Sequence, residues 1–439
     1  MDLNKSDLLV IGAGPGGYEL AAEAASCGLN VTLIERAELG GTCLNRGCIP
    51  TKALCRSAEV LDLVRNSSEF GIGVSGFTID YGVAVQRKDE VVGQLGQGVA
   101  FLLSKVNLIN GNAEFVDDHT VQVNNELFTA DNIVIATGSE PASLPINGAE
   151  YALTSDDVLS MTALPESMAI IGGGVIGLEM AYILNSFGVK VTVLEYCKEI
   201  LPQFDGDMAK RLRQLLSRKG IKFITSAKVT GIEPGHKVQY EAKGKMAEVD
   251  SEAVLMAVGR RPVVPSGIER TGINVTRRGI AVDESMQTSV RGVYAIGDVN
   301  GLCQLAHAAV AQGRTVLGSI MNTDSGVNLN IIPSAVFTVP EMAMVGIGEE
   351  NAPEGEPITV HKGFYRANGK AMAMGETDGL VKIVTDEHGK LMGCQIMGAH
   401  ASDLVQEVAT AMSFGATLND LKRVIHSHPT LSEILVSVK

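Results

Sequence analysis

Short apolar runs that stop at glycine recur along this chain. Leu8-Leu9-Val10-Ile11 halts at Gly12, Ala169-Ile170-Ile171 at Gly172, Val254 to Val258 at Gly259, and Val293 to Ile296 at Gly297. Ile133-Val134-Ile135-Ala136 runs through Thr137 to Gly138. Each run is too short for a helix and reads as a buried strand. After the first, an Ala-rich stretch predicts a helix to Gly28 and then a strand, Val31-Thr32-Leu33-Ile34-Glu35; after the second, a helix to Gly188 precedes Val191-Thr192-Val193-Leu194-Glu195. From about Asn328 the texture changes. Val381 to Thr385 and Gly389 to Ile396 read as strands flanking a turn, Asp386 to His388. Asp403 to Phe414 carries apolar residues at Leu404, Val405, Val408, Ala411 and Met412, the spacing of an amphipathic helix. This α+β unit has no glycine-rich loop, so it reads as an association domain.

The two strand–helix–strand units are copies of one pattern. In Gly12-Ala13-Gly14-Pro15-Gly16-Gly17 and Gly172-Gly173-Gly174-Val175-Ile176-Gly177 the third glycine of the fingerprint lies five residues after the first. The helix-ending glycine lies sixteen after it, and the acid, Glu35 or Glu195, twenty-three after it. The first glycine makes a tight turn, the second admits a pyrophosphate to the backbone, and the third packs helix against strand. The helix N-terminus supplies N–H groups and positive dipole to the phosphates. The acid accepts from ribose hydroxyls and repels a 2′-phosphate. Glu195 therefore points to NAD over NADP, since Tyr196 and Cys197 rather than an arginine follow it, with Lys198 close by.

Length and charge narrow the class. A chain of 439 residues exceeds one ordinary core and predicts two to four domains. A 45% hydrophobic content, 49 glycines and no tryptophan suit an α/β protein. The net charge of −14 argues against a nucleic-acid partner. Asp2, Lys5 and Asp7 precede a four-residue apolar run, too short for a signal-peptide core, and no stretch reaches transmembrane length. A cytoplasmic location without membrane association is expected. Seven cysteines in such a chain do not form a disulfide scaffold, and a paired disulfide in a cytosolic protein is more often catalytic than structural.

That directs attention to Cys43 and Cys48 in Gly40-Gly41-Thr42-Cys43-Leu44-Asn45-Arg46-Gly47-Cys48-Ile49-Pro50-Thr51-Lys52, just past the first fingerprint. Two thiols with this separation can close a small disulfide ring, and one beside a nucleotide site suggests electrons moving between the two. An inert buried pair is the alternative. Pro50 favours a helix start near Cys48, and Lys52 one turn on adds positive charge; both favour a thiolate. Cys27, Cys55, Cys197, Cys303 and Cys394 lack such a setting and read as small core or surface residues. No metal-ligating set stands out.

A second constellation lies in Ile425-His426-Ser427-His428-Pro429-Thr430-Leu431-Ser432-Glu433. Pro429 forces His428 into extended backbone. Thr430 and Glu433 have capping-box spacing for a final helix, and Glu433 could equally hold one imidazole nitrogen of His428 so that the other acts as base. His426 is the weaker candidate. Asp298, ending the strand from Val293, reads as a turn residue or, with a flavin in the first site, as a ribityl ligand.

Together the first fingerprint, GGTCLNRGCIPTK, ATG, GGGVIGLE, GRRP, AIGDV, LAHAA, Gly398-Ala399-His400 and HSHPTLSE resemble the class I pyridine nucleotide-disulfide oxidoreductases over essentially the whole chain. The resemblance implies an α/β fold with two Rossmann-like domains, for FAD and NAD, and a C-terminal α+β dimerisation domain. The division implied is 1–145 with 262–326, then 146–261, then 327–439. FAD is expected at Gly12, Gly14, Gly17, Glu35, Lys52, Ala113, Thr137, Gly138, Asp298 and Ala306. NAD is expected at Gly172, Gly174, Gly177, Glu179, Glu195, Val229 and Gly259, with Glu179 beside the nicotinamide. Cys43, Cys48, His428 and Glu433 are the implied catalytic residues, the last two reaching the other subunit's disulfide in an obligate homodimer.

The implied reaction oxidises dihydrolipoamide on a lipoyl domain of a 2-oxo acid dehydrogenase or glycine cleavage complex. His428 takes a proton from a substrate thiol, the thiolate attacks Cys43 in a Cys43–Cys48 disulfide, and Cys48 hands the electrons to FAD, with NAD the final acceptor. Departures are Arg46, where relatives often carry an apolar or aromatic residue, Thr51 in place of a frequent serine, and a shorter stretch between Arg56 and Asn110. The six residues after Glu433 hold no C-terminal thiol pair of the mercuric or thioredoxin reductase kind. The competing readings are a glutathione-reductase-like enzyme, which would carry basic residues near Glu195, and a non-catalytic flavoprotein scaffold or sensor, which would have lost a cysteine or His428.

Overall fold

The computed structural model describes residues 3–439. The chain forms two compact units, one from the segments ending at Ala53, Val85–Ala142 and Arg260–Leu329, the other from Leu54–Ala84, Ser143–Gly259 and Asn330–Lys439.

In the first unit, strands Asn107–Asn110, Val31–Glu35, Leu3–Ile11 and Glu126–Ile135 lie side by side in that order, all parallel. Val293–Ala295 adds to the far side of Glu126–Ile135, pairing Val293 with Ile133. Leu8, Leu9, Val10 and Ile133 to Ile135 are fully buried, as apolar runs covered on both faces must be. Helix Pro15–Ser26 follows the first strand and Ala306–Met321 packs on it. Gly16 makes that contact close, for a Cβ there would stand 3.0 Å from the Cβ of Ala309.

The second unit repeats the arrangement. Lys222–Ile224, Lys190–Leu194, Ser167–Ile171 and Ala253–Met256 are parallel in the same relative order, with helix Val175–Ser186 after Ser167–Ile171. The expected strands ending at Gly138, Gly259 and Gly297 therefore exist as sheet members. Ala227–Glu233, Lys237–Ala242 and Lys245–Val249 form an antiparallel meander. The C-terminal part is a five-stranded antiparallel sheet, Ser334–Val336, Glu341–Gly346, Leu391–Gly398, Leu380–Asp386, Ile358–Phe364, covered by helix Ala401–Ser413. The Asp386 carboxylate closes its hairpin by accepting from the backbone of His388 and Lys390 at 2.9 and 2.8 Å. The α/β class with an α+β C-terminal part is thus the fold of the chain.

Candidate active site

The two fingerprints fold into the same turn. Gly12 and Gly172 take φ of 104° and 111°, open to glycine, and each donates its N–H to the end of the next strand, Ile34 or Leu194, at 2.8 Å. A Cβ on Gly17 would overlap the Gly12 carbonyl oxygen, and one on Gly177 the Gly172 carbonyl oxygen. By contrast, Gly14 and Gly174, which cap the two helices, face open space and leave the first-turn N–H groups without a side-chain cap. The acids are used in parallel ways. Glu35 accepts from Ala13 N at 2.6 Å and Ala37 N at 2.8 Å; Glu195 accepts from Gly173 N and Cys197 N at 2.6 Å each. Each carboxylate therefore tensions its own phosphate turn, and its remaining lone pairs are what a ribose could use.

The cysteine loop is threaded against the first turn. Gly40 N donates to Ala13 O at 2.9 Å, and a Cβ on Gly41 would stand 2.7 Å from the Gly14 Cα. Cys43 lies in helix Gly41–Arg46 and Cys48 opens helix Cys48–Arg65. Gly47 breaks the chain between them, with no room for a Cβ beside the Thr42 carbonyl, 2.9 Å away. Both residues stand as thiols, Cys48 the more exposed. Cys43 is hydrogen-bonded to Cys48; this bond first, then burial, pushes its thiol well above the usual range, with Lys52 opposing. Arg46 turns to Glu38 in a 2.7 Å ion pair.

Asp298 belongs to a network that sequence reading missed. Ser139 Oγ donates to its carboxylate, while Arg260 holds Ser139 through Nε on Oγ at 2.8 Å and Nη2 on the carbonyl at 2.7 Å. Burial raises the Asp298 carboxyl above the usual carboxylate range, against the pull of Ser139 and Arg260. Gln312 is also new: its Oε1 accepts from Gly297 N at 2.7 Å and Asn300 Nδ2 at 2.9 Å, fixing the turn before Asp298. The only sequence signals were adjacency, Ser139 following ATG and Arg260 standing second in GRRP. Thr137 Oγ1 donates to the Val263 carbonyl, Gly138 has φ 69°, and Ala113 is buried beside the sheet. Ala306 starts its helix without a side-chain cap. Val229 lies in the meander strand, and Gly259, at φ 110°, faces open space.

Glu179, 3% exposed, accepts from Phe337 N at 3.0 Å. At the C-terminus His428 Nδ1 meets Glu433 Oε1 at 2.9 Å, and Thr430 N donates to Glu433 Oε2 at 2.9 Å. These bonds, the Thr430 amide first, hold the Glu433 carboxyl below the usual range. An ionised carboxylate only accepts, so Nδ1 carries a proton and neutral His428 presents the Nε2 lone pair. The expected capping box forms by half. The last helix is Glu433–Val436, with Ser432 at its N-cap position making no side-chain cap bond, and the Thr430 hydroxyl donates to Ser427 O instead of capping it. The His428–Pro429 peptide is cis.

Among the described residues no helix is long and apolar enough to cross a membrane. Residues 6–313 match the family model described as Pyridine nucleotide-disulphide oxidoreductase, and residues 332–438 match its dimerisation domain. The chain is 41% identical to the dihydrolipoyl dehydrogenase of Geobacillus stearothermophilus across 98% of its own length and 94% of that protein. It is 40% identical to the dihydrolipoyl dehydrogenase of Chlamydia muridarum, covering 98% and 95% of the two chains. Among solved structures, an HOCl-induced flavoprotein disulfide reductase of Escherichia coli superposes with a TM-score of 0.87 at 30% identity, over 98% of this chain and 99% of that one.

Proposed function

The chain belongs to the pyridine nucleotide-disulphide oxidoreductase family, and from that premise we propose that it oxidises dihydrolipoamide to lipoamide while reducing NAD to NADH, through the Cys43 and Cys48 pair. It is an oxidoreductase with FAD and NAD as cofactors. The residues fit both groups. Two helix N-termini lie open beside glycines that leave space for phosphate, and a buried acid closes each turn. FAD would be held by Gly12, Gly14, Gly17, Glu35, Lys52, Ala113, Thr137, Gly138, Asp298 and Ala306. NAD would be held by Gly172, Gly174, Gly177, Glu179, Glu195, Val229 and Gly259. When bound, the flavin supplies two-electron exchange between a dithiol and a nicotinamide.

The observation that carries this reading is the thiol pair at the Gly47 break, in a loop packed on the first phosphate turn. In the oxidised enzyme Cys43 and Cys48 share a disulfide. His428, its Nδ1 held by Glu433, accepts a proton at Nε2 from a substrate thiol. The thiolate attacks Cys43 Sγ, and Cys48 leaves as thiolate at the start of its helix, where the dipole and Lys52 favour the charge. The second substrate thiol then attacks the substrate sulfur of the mixed disulfide and passes its proton to the departing Cys43, releasing lipoamide and leaving Cys43 as a thiol, Cys48 as a thiolate and His428 as an imidazolium. Substrate has lost two electrons and two protons, and the pair has gained the electrons.

The dimerisation domain supports a homodimer in which His428 serves the disulfide of the opposite subunit. The substrate would arrive on a lipoyl domain of a 2-oxo acid dehydrogenase or glycine cleavage complex, in the cytoplasm. The domain division proposed is 1–145 completed by 262–326, 146–261, and 327–439. A substrate survey tests the activity. Turnover with dihydrolipoamide and NAD should exceed by orders of magnitude that with glutathione disulfide and NADPH, and the reverse preference would reject it.

A further inference from the structure

His426 lies two residues before the proposed base. Its side chain is 8% exposed, whereas that of His428 is 78% exposed. Nε2 meets Glu407 Oε1 at 2.6 Å and Nδ1 meets the Val424 carbonyl oxygen at 2.9 Å. A neutral imidazole has one N–H and one lone pair, while an imidazolium has two N–H groups. A carbonyl oxygen and a carboxylate both accept, so a neutral ring would aim a lone pair at one of them. Only the imidazolium satisfies the site.

From this geometry we infer that His426 is a positioning residue, a standing imidazolium that pins the segment carrying His428. The inference rests on the reading of His428 as the base. The segment from Val424 to Thr430 has no helix or strand of its own. An exposed His428 has little packing to locate it, so its position depends on what holds its neighbours. Glu407 on helix Ala401–Ser413 fixes the ring of His426 from one side. The other charged group facing it is Glu433, on the final helix, which in turn holds His428. The order Glu407, His426, Glu433, His428 alternates acid and base. Burial works against the charge on His426, and the Glu407 bond, the Val424 carbonyl and Glu433 outweigh it, so its proton is held above the ordinary histidine value. The sign follows: the charge on His426 persists up to its raised value and is lost as pH rises through it, while the clamp also needs Glu407 and Glu433 ionised.

The test uses the full-length holoenzyme and the Glu407→Gln variant, which keeps an accepting oxygen and removes the charge. Nitrogen-15 NMR of labelled histidines in the wild type should show the His426 ring titrating above about 6.5, the ordinary value, and titrating lower in the variant. The alkaline limb of dihydrolipoamide oxidation should move to lower pH in the variant, with kcat down about 3- to 10-fold, as for loss of a partner worth roughly 1 kcal/mol. NADH-driven reduction of ferricyanide, which bypasses the base, should be unchanged. A wild-type His426 ring that titrates at or below about 6.5, or a variant with an unmoved alkaline limb, would overturn the inference. Full dithiol turnover by His428→Gln would instead remove the reading of the base on which it rests, and the His426 titration would still be informative about the clamp itself.

Discussion

Gly47 divides the thiol pair between two helices, with Cys43 inside the first and Cys48 heading the second. The two cysteines should therefore fail alike in the dithiol reaction and not in the nicotinamide reaction. Cys43→Ser and Cys48→Ser should each abolish dihydrolipoamide oxidation, while NADH-dependent ferricyanide reduction persists; steady-state assays with the two acceptors check this. His428→Gln should lower dihydrolipoamide turnover by about 10²- to 10⁴-fold, the usual worth of a general base, with ferricyanide reduction again intact. The depressed Glu433 carboxyl adds a pH statement. A carboxylate held low in the fold keeps its contribution above the unfolded value and loses it as pH falls through the folded one, so the His428 clamp should survive mild acid and fail only below the ordinary carboxylate range. Carbon-13 NMR of the Glu433 carboxyl should accordingly show it titrating below about 4.3, the ordinary glutamate value. At this scale the glycines, the paired acids, the cysteines and His428 were legible, because their spacing carries the information. Ser139, Arg260 and Glu407 were not. Each acts through a side-chain bond to a residue distant in sequence, Arg260 to Ser139 across 121 positions and Glu407 to His426 across 19.

Elements built by period and glycine were read closely. The first fingerprint helix ends at Ser26, and Gly28 follows at φ 92°; its copy ends at Ser186, and Gly188 follows at φ 99°. The amphipathic helix expected from Asp403 to Phe414 is Ala401–Ser413, begun two residues early by His400 in the left-handed region at φ 56°. The last helix was misread because local spacing cannot tell which partner a hydroxyl will choose. Thr430 Oγ1 is taken by Ser427 O, its carbonyl by Asn368 Nδ2 at 3.0 Å, and the helix begins only at Glu433. The repeated turn gives a sharp expectation. Gly177→Ala would drive a methyl group into the Gly172 carbonyl, so KM for NAD should rise by at least about tenfold, equivalent to 1.4 kcal/mol. The flavin should stay bound. Gly17→Ala should do the opposite, yielding protein without the yellow cofactor; absorbance and NAD titration separate the two.

For the whole molecule, net charge and composition exclude classes of partner but say nothing of how charges are spent inside. Lys382, read only as part of a strand, is buried at 1% exposure and gathers Asp205 at 3.1 Å, Asp207 at 2.6 Å and Glu349 at 2.9 Å. Asp205 is fully buried and also accepts from the backbone of Glu349 and Glu350 at 3.2 and 3.1 Å. Lys382→Met leaves that carboxylate without its counter-charge and should destabilise the chain by about 3–5 kcal/mol, measured by denaturant unfolding. A double change with Asp205→Asn should cost less than the sum of the two. The C-terminal part also exposes large apolar side chains, Phe414 at 86% and Ile425 at 96%, which accords with the match to a dimerisation domain. Light scattering should give twice the chain mass.

The relay through the thiol pair is tested most directly by anaerobic titration of the purified yellow enzyme with dihydrolipoamide, followed by NAD. The account predicts that one equivalent reduces the enzyme, that two thiols per chain become titratable, and that NAD then yields NADH. Cys48→Ser should show none of this. An enzyme that stays fully oxidised with dihydrolipoamide, or a Cys48→Ser variant that still passes its electrons to NAD, would contradict it.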